Sequence, residues 1–373
     1  MNTLKVITVV GTRPEIIRLS RVIPLLDKYT QHILVHTGQN YDYELNEIFY
    51  EDLELRKPDY LLNVNTASLG HVLGETLIKT EEILSKEKPD AMLILGDTNA
   101  SIAAIMAKRR HIPVYHMEAG NRSYDMNVPE EINRKMIDHI ADFNLVYTDN
   151  SRRHLLSEGL PHRRIYVTGS PMFEVLQHYL PKIKKSDILQ KLNLEPGKYF
   201  LVSIHREENV DYKDNLKQVI EVLNRIATEY GLPIIVSTHP RTRKRLETQI
   251  ENRFHDLIQF LKPFGFSDYN QLQMNAKCVI SDSGTISEES SILRFPAITI
   301  RNSMERPEAM DYGTIILSGF DQDIVLETIL IATETAQGNE KICPEYEIEN
   351  TSLRVLKLIT GTAKLHKLWS GLY

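Results

Sequence analysis

Cysteine, tryptophan and long apolar runs are all scarce in this sequence of 373 residues. It contains one tryptophan and two cysteines, Cys278 and Cys343, which lie far apart and form no C-x-x-C pair. This usage favours a reducing compartment over a disulfide framework and indicates no structural zinc site. No stretch of eighteen consecutive apolar residues occurs, so a membrane-spanning helix is excluded by length. We therefore expect a cytoplasmic protein without membrane insertion.

An excess of positive charge is also absent. The sequence has 44 Lys and Arg against 50 Asp and Glu, which gives a net charge of −6. Proteins that bind nucleic acid by bulk electrostatics carry a basic balance or a basic patch. Nucleic acid is therefore not an expected partner.

Several nucleotide and hydrolase motifs are missing. No two glycines are separated by a single residue, so the dinucleotide fingerprint G-x-G-x-x-G cannot occur, and there is no Gly-Lys-Ser/Thr of a P-loop. The metalloprotease pattern H-E-x-x-H and the nucleophile elbow G-x-S-x-G are absent as well. These absences disfavour NAD-dependent, P-loop, metalloprotease and serine-hydrolase chemistry.

The sequence does contain a regular alternation of short apolar runs and longer amphipathic stretches. This alternation predicts strands and helices in turn, and strands that are apolar throughout are typical of parallel sheets covered by helices. The predicted strands of the first half are Lys5–Val10, Ile33–His36, Ala91–Leu95, Pro113–Met117, Asn144–Tyr147 and Arg164–Thr168. Those of the second half are Tyr199–Ile204, Pro233–Ser237, Leu257–Leu261, Lys277–Ser281, Ala297–Ile300 and Thr314–Leu317. The first run is too short for the core of a signal peptide.

Length and alternation together predict two Rossmann-like α/β domains. A chain of this length exceeds what one core usually spans, and Gly169–Pro171 punctuates the end of the first series of strands. We expect domains at residues 1–170 and 171–355, with a C-terminal helix at 356–373 that packs back on the first domain. Because loops at the carboxyl ends of parallel strands bind ligands, a ligand is expected in the cleft between the domains.

The first domain places charged residues directly after its predicted strands. The segment Gly11–Glu15 (GTRPE) follows the first strand, where Arg13 and Arg18 could face a phosphate at the start of a helix. The alternative is an ordinary strand-to-helix turn. Asp97 follows the third predicted strand and Glu118 directly follows the fourth, so two carboxylates should lie side by side, although Asp97 could equally cap the next helix.

Two further acids, Glu130 and Glu131, follow Pro129 at a predicted helix start. The helix dipole alone explains acids at that position. Only the presence of the other acidic motifs in the sequence suggests a chemical role for these two acids.

The second domain offers a site for an anion. His205 follows the strand at Tyr199–Ile204 and could carry positive charge or a proton, although a lone histidine is more often structural. Ser281–Thr285 opens a helix whose bare N–H groups could bind a phosphate, and Glu289 could accept from ribose hydroxyls. Arg306 adds a cation.

Together these motifs resemble the non-hydrolysing UDP-N-acetylglucosamine 2-epimerases, over nearly the whole chain. The resemblance implies the two-domain glycosyltransferase-B-type fold, an isomerase, and a UDP-sugar as the ligand; we also expect a homodimer. It rests on seven segments in the family's order, Gly11–Glu15, Gly96–Thr98, His116–Gly120, Pro129–Glu131, His205–Asn209, Asp282–Gly284 and Glu305–Glu308.

The resemblance also implies residue roles. Asp97, Glu118 and Glu130 would be the catalytic acids and bases, and His205 would assist the leaving UDP. The family is understood to eliminate UDP across C1–C2 to a glycal and to add it back with a proton on the opposite face of C2. This route requires neither NAD nor a metal, so no cofactor is expected. The residues implied to hold UDP are Arg13, Arg18, Ser283, Gly284, Thr285, Glu289 and Arg306.

Other functions stay open on the sequence alone. A glycosyltransferase of the same fold would bind the same donors, and a hydrolysing epimerase would release free sugar and UDP. A UDP-sugar sensor would bind without chemistry. The acid cluster disfavours the sensor, because carboxylates beside a diphosphate weaken binding unless the chemistry uses them.

Departures from the family pattern bear on the sugar. Where the glucosamine enzymes carry a Gln-His-Arg-type segment this chain has Thr37–Tyr43, Glu207 stands in place of an arginine, and Asn121 in place of a leucine. These departures resemble the branch that forms UDP-N-acetyl-L-fucosamine for capsule or O-antigen synthesis. We therefore expect a 6-deoxy substrate of the UDP-N-acetyl-L-talosamine type, with UDP-N-acetylglucosamine as the alternative.

Overall fold

The computed structural model describes residues 4–38, 49–126, 128–204, 213–238, 254–336 and 341–371. The chain divides into two compact units. The first unit holds the described residues up to Gln177 together with those from Pro344 onward, and the second runs from His178 to Cys343. Each unit is built around one parallel sheet.

The first unit contains a seven-stranded parallel sheet in the order β3-β2-β1-β4-β5-β6-β7. The order reverses between β1 and β4, so the connections leave these two neighbours in opposite directions. Ligands of open α/β sheets bind at such a reversal. The strands are β1 (Lys5–Val10), β2 (Gln31–His36), β3 (Tyr60–Leu61), β4 (Ala91–Leu95), β5 (Val114–Ala119), β6 (Phe143–Val146) and β7 (Ile165–Val167).

The helices of this unit alternate with its strands. They are α1 (Arg13–Leu19), α2 (Val22–Tyr29), α3 (Leu69–Glu87), α4 (Ala103–Arg109), α5 (Pro129–Ile140), α6 (Asp149–Ser157) and α7 (Met172–Ile183), which continues into the second unit. The last helix of the chain, numbered α14 (Thr351–Trp369), contacts α2, and its Thr362 hydroxyl lies 2.7 Å from the hydroxyl of Tyr115 on β5.

The second unit repeats the design with a six-stranded parallel sheet in the order β10-β9-β8-β11-β12-β13, which reverses between β8 and β11. Its strands are β8 (Phe200–Ser203), β9 (Ile234–Ser237), β10 (Ile258–Leu261), β11 (Cys278–Ser281), β12 (Ala297–Thr299) and β13 (Ile316–Leu317). Its helices are α8 (Ile188–Lys191), α9 (Lys213–Tyr230), α10 (Phe266–Asn275), α11 (Ile286–Leu293), α12 (Glu308–Asp311) and α13 (Gln322–Thr335).

The central strands β4 and β11 are buried along their whole length. Every residue of Ala91–Leu95 and of Cys278–Ser281 is buried, and Ile7, Val9 and Ile94 lie in one apolar cluster. Burial of each such side chain stabilises the fold by about 1.5–3 kcal/mol. The predicted class, two parallel Rossmann-like sheets, is confirmed.

No helix within the described ranges is long and apolar enough to cross a membrane. Cys278 and Cys343 are both buried, and no disulfide joins them.

Candidate active site

The strand ends at the reversal of the first sheet carry most of the predicted motifs. Gly11 follows β1 and Gly96 follows β4, the two strands between which the order reverses. Asp97 comes next, and Glu118 lies near the end of the adjacent strand β5. The fold thus brings these segments to one edge of the sheet.

Glu15, in the first turn of α1, fastens two of these loops together. Its Oε2 accepts from the backbone N–H of Gly11 at 2.5 Å, and its Oε1 accepts from the hydroxyl of Thr98, which follows β4. Burial raises the pKa of Glu15 from 4.5 to about 7, although these hydrogen bonds favour the charged form. Glu15 was not among the predicted site residues. Its position three residues after Thr12, as in a capping box, is the sequence feature that indicates this role.

Asp97 is held by residues of α5. Its carboxylate forms an ion pair with Arg134, and its backbone oxygen accepts from Asn133 Nδ2 at 3.0 Å. The helical turn that follows is capped by Thr98, whose hydroxyl accepts from the N–H of Ala100. Asp97 is therefore not the capping residue of this turn, and its side chain keeps 17% of its surface exposed.

Glu118 adopts an unusual backbone conformation. Its φ of 67° is in the left-handed region, and the pairing of β5 with β6 shifts register between Met117 and Ala119. A non-glycine residue in this region costs of order 1–3 kcal/mol and is found preferentially at functional sites. Its Oε2 accepts from Arg18 Nη1 at 2.7 Å, and the Arg18 guanidinium lies 5.6 Å from the ring centre of Tyr147.

Arg18 and Arg13 differ in their surroundings. Arg18 is buried and forms an ion pair with Glu118. Its contact with UDP stays a prediction. Arg13 is half-buried, with its guanidinium 5.3 Å from the ring centre of Phe49.

The two acids at the start of α5 also differ. Glu130 is exposed in the first turn, whereas Glu131 is fully buried and accepts from Arg134 at 2.7 Å and from the N–H of Ser123 at 3.0 Å. Burial alone would raise the pKa of Glu131, but these donors outweigh it and lower the pKa. Glu131 thus links Arg134, and through it Asp97, to the loop after β5. The catalytic role of Glu130 stays a prediction.

In the second unit, the predicted anion-binding segment Ser281–Thr285 lies at the end of β11, where the strand order of the sheet reverses. The segment after β11 leads into α11, and the Ser283 hydroxyl lies 2.9 Å from the hydroxyl of Thr285. Arg306 reaches the same turn, since its Nη1 donates to the backbone oxygen of Gly284 at 2.9 Å and pairs with Glu288. A cation is therefore fixed at the N-terminus of α11, where the helix itself favours an anion.

Glu289 is buried in α11 and accepts from Gln273 Nε2 at 2.7 Å. Its predicted contact with ribose stays a prediction. The predicted His205, with the rest of the segment to Asn209, lies outside the described residues, as do Gln39–Tyr43. Among the residues that the structure describes, no group of three or more His, Cys, Asp or Glu side chains could hold a metal ion.

A match to one protein family covers most of the chain. The sequence profile of the UDP-N-acetylglucosamine 2-epimerase family matches residues 26–360. The chain belongs to this family. It is an isomerase of the non-hydrolysing kind.

Relatives from this family align with most of the chain. A UDP-N-acetylglucosamine 2-epimerase homolog of Methanococcus maripaludis is 39% identical over 334 residues, 87% of this chain and 92% of its own length. The UDP-N-acetylglucosamine 2-epimerase of Methanocaldococcus jannaschii is 39% identical over 339 residues, 88% of this chain and 92% of its own.

Solved structures agree with the family. A UDP-N-acetylglucosamine 2-epimerase from Rickettsia bellii matches with a TM-score of 0.91 at 49% identity over 98% of both chains. The Methanocaldococcus jannaschii enzyme in complex with UDP-GlcNAc and UDP matches with a TM-score of 0.90 at 35% identity, over 96% of this chain and 100% of that one. A glycosyltransferase from Rickettsia africae, at 13% identity and a TM-score of 0.55 over 98% of both chains, shares the fold alone.

Proposed function

We propose that this 2-epimerase family member interconverts UDP-N-acetylglucosamine and UDP-N-acetylmannosamine by inverting C2. The observation that carries the proposal is the pair of carboxylates at neighbouring strand ends, Asp97 and Glu118, each bonded to a buried arginine. The names of the relatives support this substrate.

The chemistry of C2 requires an indirect route. The hydrogen on C2 of an N-acetylamino sugar is not adjacent to a carbonyl, so its removal to a carbanion is very costly. Loss of that proton together with UDP across C1–C2 gives a neutral glycal. UDP then adds back at C1 while C2 receives a proton on the opposite face, and the balance of atoms is restored.

Proton transfer on two faces requires at least two positioned groups. In this proposal Asp97, Glu118 and Glu130 supply them, and His205 assists the departing UDP. The arginine partners of Asp97 and Glu118 fix both carboxylates in place, which supports their use as acid and base. Positioned groups of this kind typically contribute about 10²–10⁴-fold to a rate.

Binding of UDP is assigned to the second unit, so that the two units act as a catalytic and a UDP-binding domain. The start of α11, from Ser283 to Thr285, offers N–H groups and hydroxyls to a diphosphate, and Arg306 adds a fixed cation. Arg13 is proposed to bind the diphosphate of UDP. Glu289 is assigned to the ribose.

The sugar preference expected from the sequence rested on three departures. Glu207 lies outside the described residues, and so does the segment Thr37–Tyr43 from Gln39 onward. The third, Asn121, is buried, and its Oδ1 accepts from the Ser151 hydroxyl at 3.0 Å, so packing against α6 explains this residue. The named relatives are UDP-N-acetylglucosamine 2-epimerases, so they favour UDP-N-acetylglucosamine over a 6-deoxy sugar.

The proposal is tested by incubating the protein with UDP-N-acetylglucosamine and following UDP-N-acetylmannosamine by NMR. Asp97→Asn serves as the control for contaminating activity. Parallel kcat/KM measurements with UDP-N-acetyl-L-talosamine decide the sugar. No conversion of either sugar would refute the activity, and a clear preference for the 6-deoxy sugar would refute the substrate.

The proposed route moves a proton and UDP but no hydride, so it needs no nicotinamide.

The homodimer expected from the sequence also stays a prediction. Light scattering coupled to size-exclusion chromatography tests it, with a mass of twice 43.0 kDa as the expected result.

A further inference from the structure

Hydrogen bonds from three different elements hold the turn that carries Asp97. The turn runs from Gly96 to Asn99, directly after β4. At its first residue, the N–H of Gly96 donates to the backbone oxygen of Met117 on β5 at 3.0 Å. The other hydrogen bonds come from α5 and α1, and they reach Asp97 itself and the two residues after it.

Helix α5 holds this turn through Asn133. The Nδ2 of Asn133 donates to the backbone oxygen of Asp97 at 3.0 Å and to Asn99 Oδ1 at 3.1 Å. Because a backbone oxygen can only accept, these contacts fix which end of the Asn133 amide faces the turn. The next residue, Arg134, pairs with the Asp97 carboxylate. Two successive residues of α5 therefore hold the backbone and the side chain of the same acid.

Helix α1 holds the turn through Glu15. The hydroxyl of Thr98 donates to Glu15 Oε1 and accepts from the N–H of Ala100 at 3.3 Å. Glu15 is buried, and its Oε2 accepts from the N–H of Gly11 at 2.5 Å. The Thr98 hydroxyl therefore links the residue after Asp97 to a buried carboxylate that is itself bonded to the segment after β1.

These hydrogen bonds restrict where the Asp97 carboxylate can lie. A group that transfers a proton must be within hydrogen-bond distance of the atom it serves. A displacement of about 1 Å can lower a rate by about 10²-fold. Residues that do not touch the substrate can therefore control the rate through the place of Asp97.

We propose that Asn133, and Glu15 acting through Thr98, are positioning residues that hold Asp97 in place for proton transfer at C2. This role rests on the proposed function, because it acts through the Asp97 carboxylate. Arg134 sets the direction of that carboxylate, whereas Asn133 and Thr98 fix the backbone that carries it. Loss of either contact should slow proton transfer without weakening the binding of UDP, which is assigned to other residues.

Substitutions of Thr98 test the contact with α1, with UDP-N-acetylglucosamine as substrate. Thr98→Val replaces the hydroxyl with a methyl group, and we expect kcat to fall by about 10- to 100-fold while KM and the calorimetric Kd for UDP stay within about threefold. Thr98→Ser restores the hydroxyl and should restore kcat. Thr228→Val, at an exposed threonine on α9, is the matched control and should match the wild type. Wild-type turnover by Thr98→Val would refute the role of this contact.

Substitution of Asn133 tests the contact with α5 and covers the case in which Thr98→Val does not fold. Asn133→Leu keeps a side chain of similar size but donates no hydrogen bond. We expect the same pattern, with kcat lowered by about 10- to 100-fold and with KM and the Kd for UDP little changed. A rise in KM with an unchanged kcat would contradict a positioning role, because it would indicate lost substrate binding instead.

A double-mutant cycle separates the positioning of Asp97 from a general effect on the fold. Asp97→Asn removes the carboxylate, so Thr98→Val should lower the residual kcat of Asp97→Asn by less than about threefold. This residual kcat is measured above the background of the double variant Asp97→Asn/Glu118→Gln. An equal loss in both backgrounds would overturn the proposal and leave the proposed function standing. An inactive wild type would refute the proposed function and this role together.

Discussion

The substitution Glu15→Gln should change how the stability of the first unit depends on pH. Glu15 is buried, and its pKa is raised from the ordinary 4.5 to about 7 because burial penalises the carboxylate. The acid is therefore protonated more readily in the folded than in the unfolded protein. Stability from this group is fully present below about pH 4.5 and is lost as the pH rises through about 7.

The magnitude follows from the shift. Each pKa unit corresponds to 1.36 kcal/mol, so ionisation of Glu15 costs about 3 kcal/mol above pH 7, most of it between pH 5 and 8. Glutamine remains neutral throughout this range. Its carbonyl can accept from Gly11 and its amide can donate to the Thr98 hydroxyl, so both partners of Glu15 stay hydrogen-bonded, with the direction of the Thr98 bond reversed.

Urea unfolding at pH 5, 6, 7 and 8 measures the effect, with Glu82→Gln on the exposed face of α3 as the matched control. We expect the free energy of unfolding of Glu15→Gln, relative to the wild type, to become more favourable by about 2–3 kcal/mol from pH 5 to pH 8. The control should keep a constant difference from the wild type. A pH-independent difference for Glu15→Gln would refute the buried, neutralised carboxyl.

The remaining predictions concern catalysis and binding. Asp97→Asn, Glu118→Gln and Glu130→Gln should each lower kcat by about 10²-fold or more while UDP affinity, measured by calorimetry, changes little; near-normal turnover in any of them would remove that residue from the mechanism. Arg13→Ala and Arg306→Ala should each weaken UDP binding by about 1.5–3 kcal/mol, the worth of a charge-assisted hydrogen bond. Calorimetric titration that shows no loss for either would refute its placement at the diphosphate.

Most strand positions could be predicted from the sequence. The predicted strands agree with the observed ones to within two residues, because central parallel strands are buried and carry continuous apolar runs. β3 (Tyr60–Leu61) was not predicted, since a two-residue strand at the sheet edge leaves no apolar pattern. Neighbouring strand ends also predicted that Asp97 and Glu118 would share one edge of the sheet.

The partners of these acids could not be predicted. Arg18 and Glu118 are separated by 100 residues along the chain, and Arg134 and Asp97 by 37, so no local pattern joins them. Motif reasoning assigned Arg18 to a phosphate, whereas the structure gives it a carboxylate partner. The raised pKa of Glu15 depends on burial, which only the tertiary structure supplies.

The central claim is that C2 is inverted through elimination and re-addition of UDP. Incubation of the protein with UDP-N-acetylglucosamine in D2O, with C2 followed by NMR and the nucleotides by chromatography, tests it most directly. The account predicts that deuterium enters at C2 as the two epimers equilibrate, together with traces of free UDP and the glycal. Inversion at C2 without solvent deuterium would contradict it.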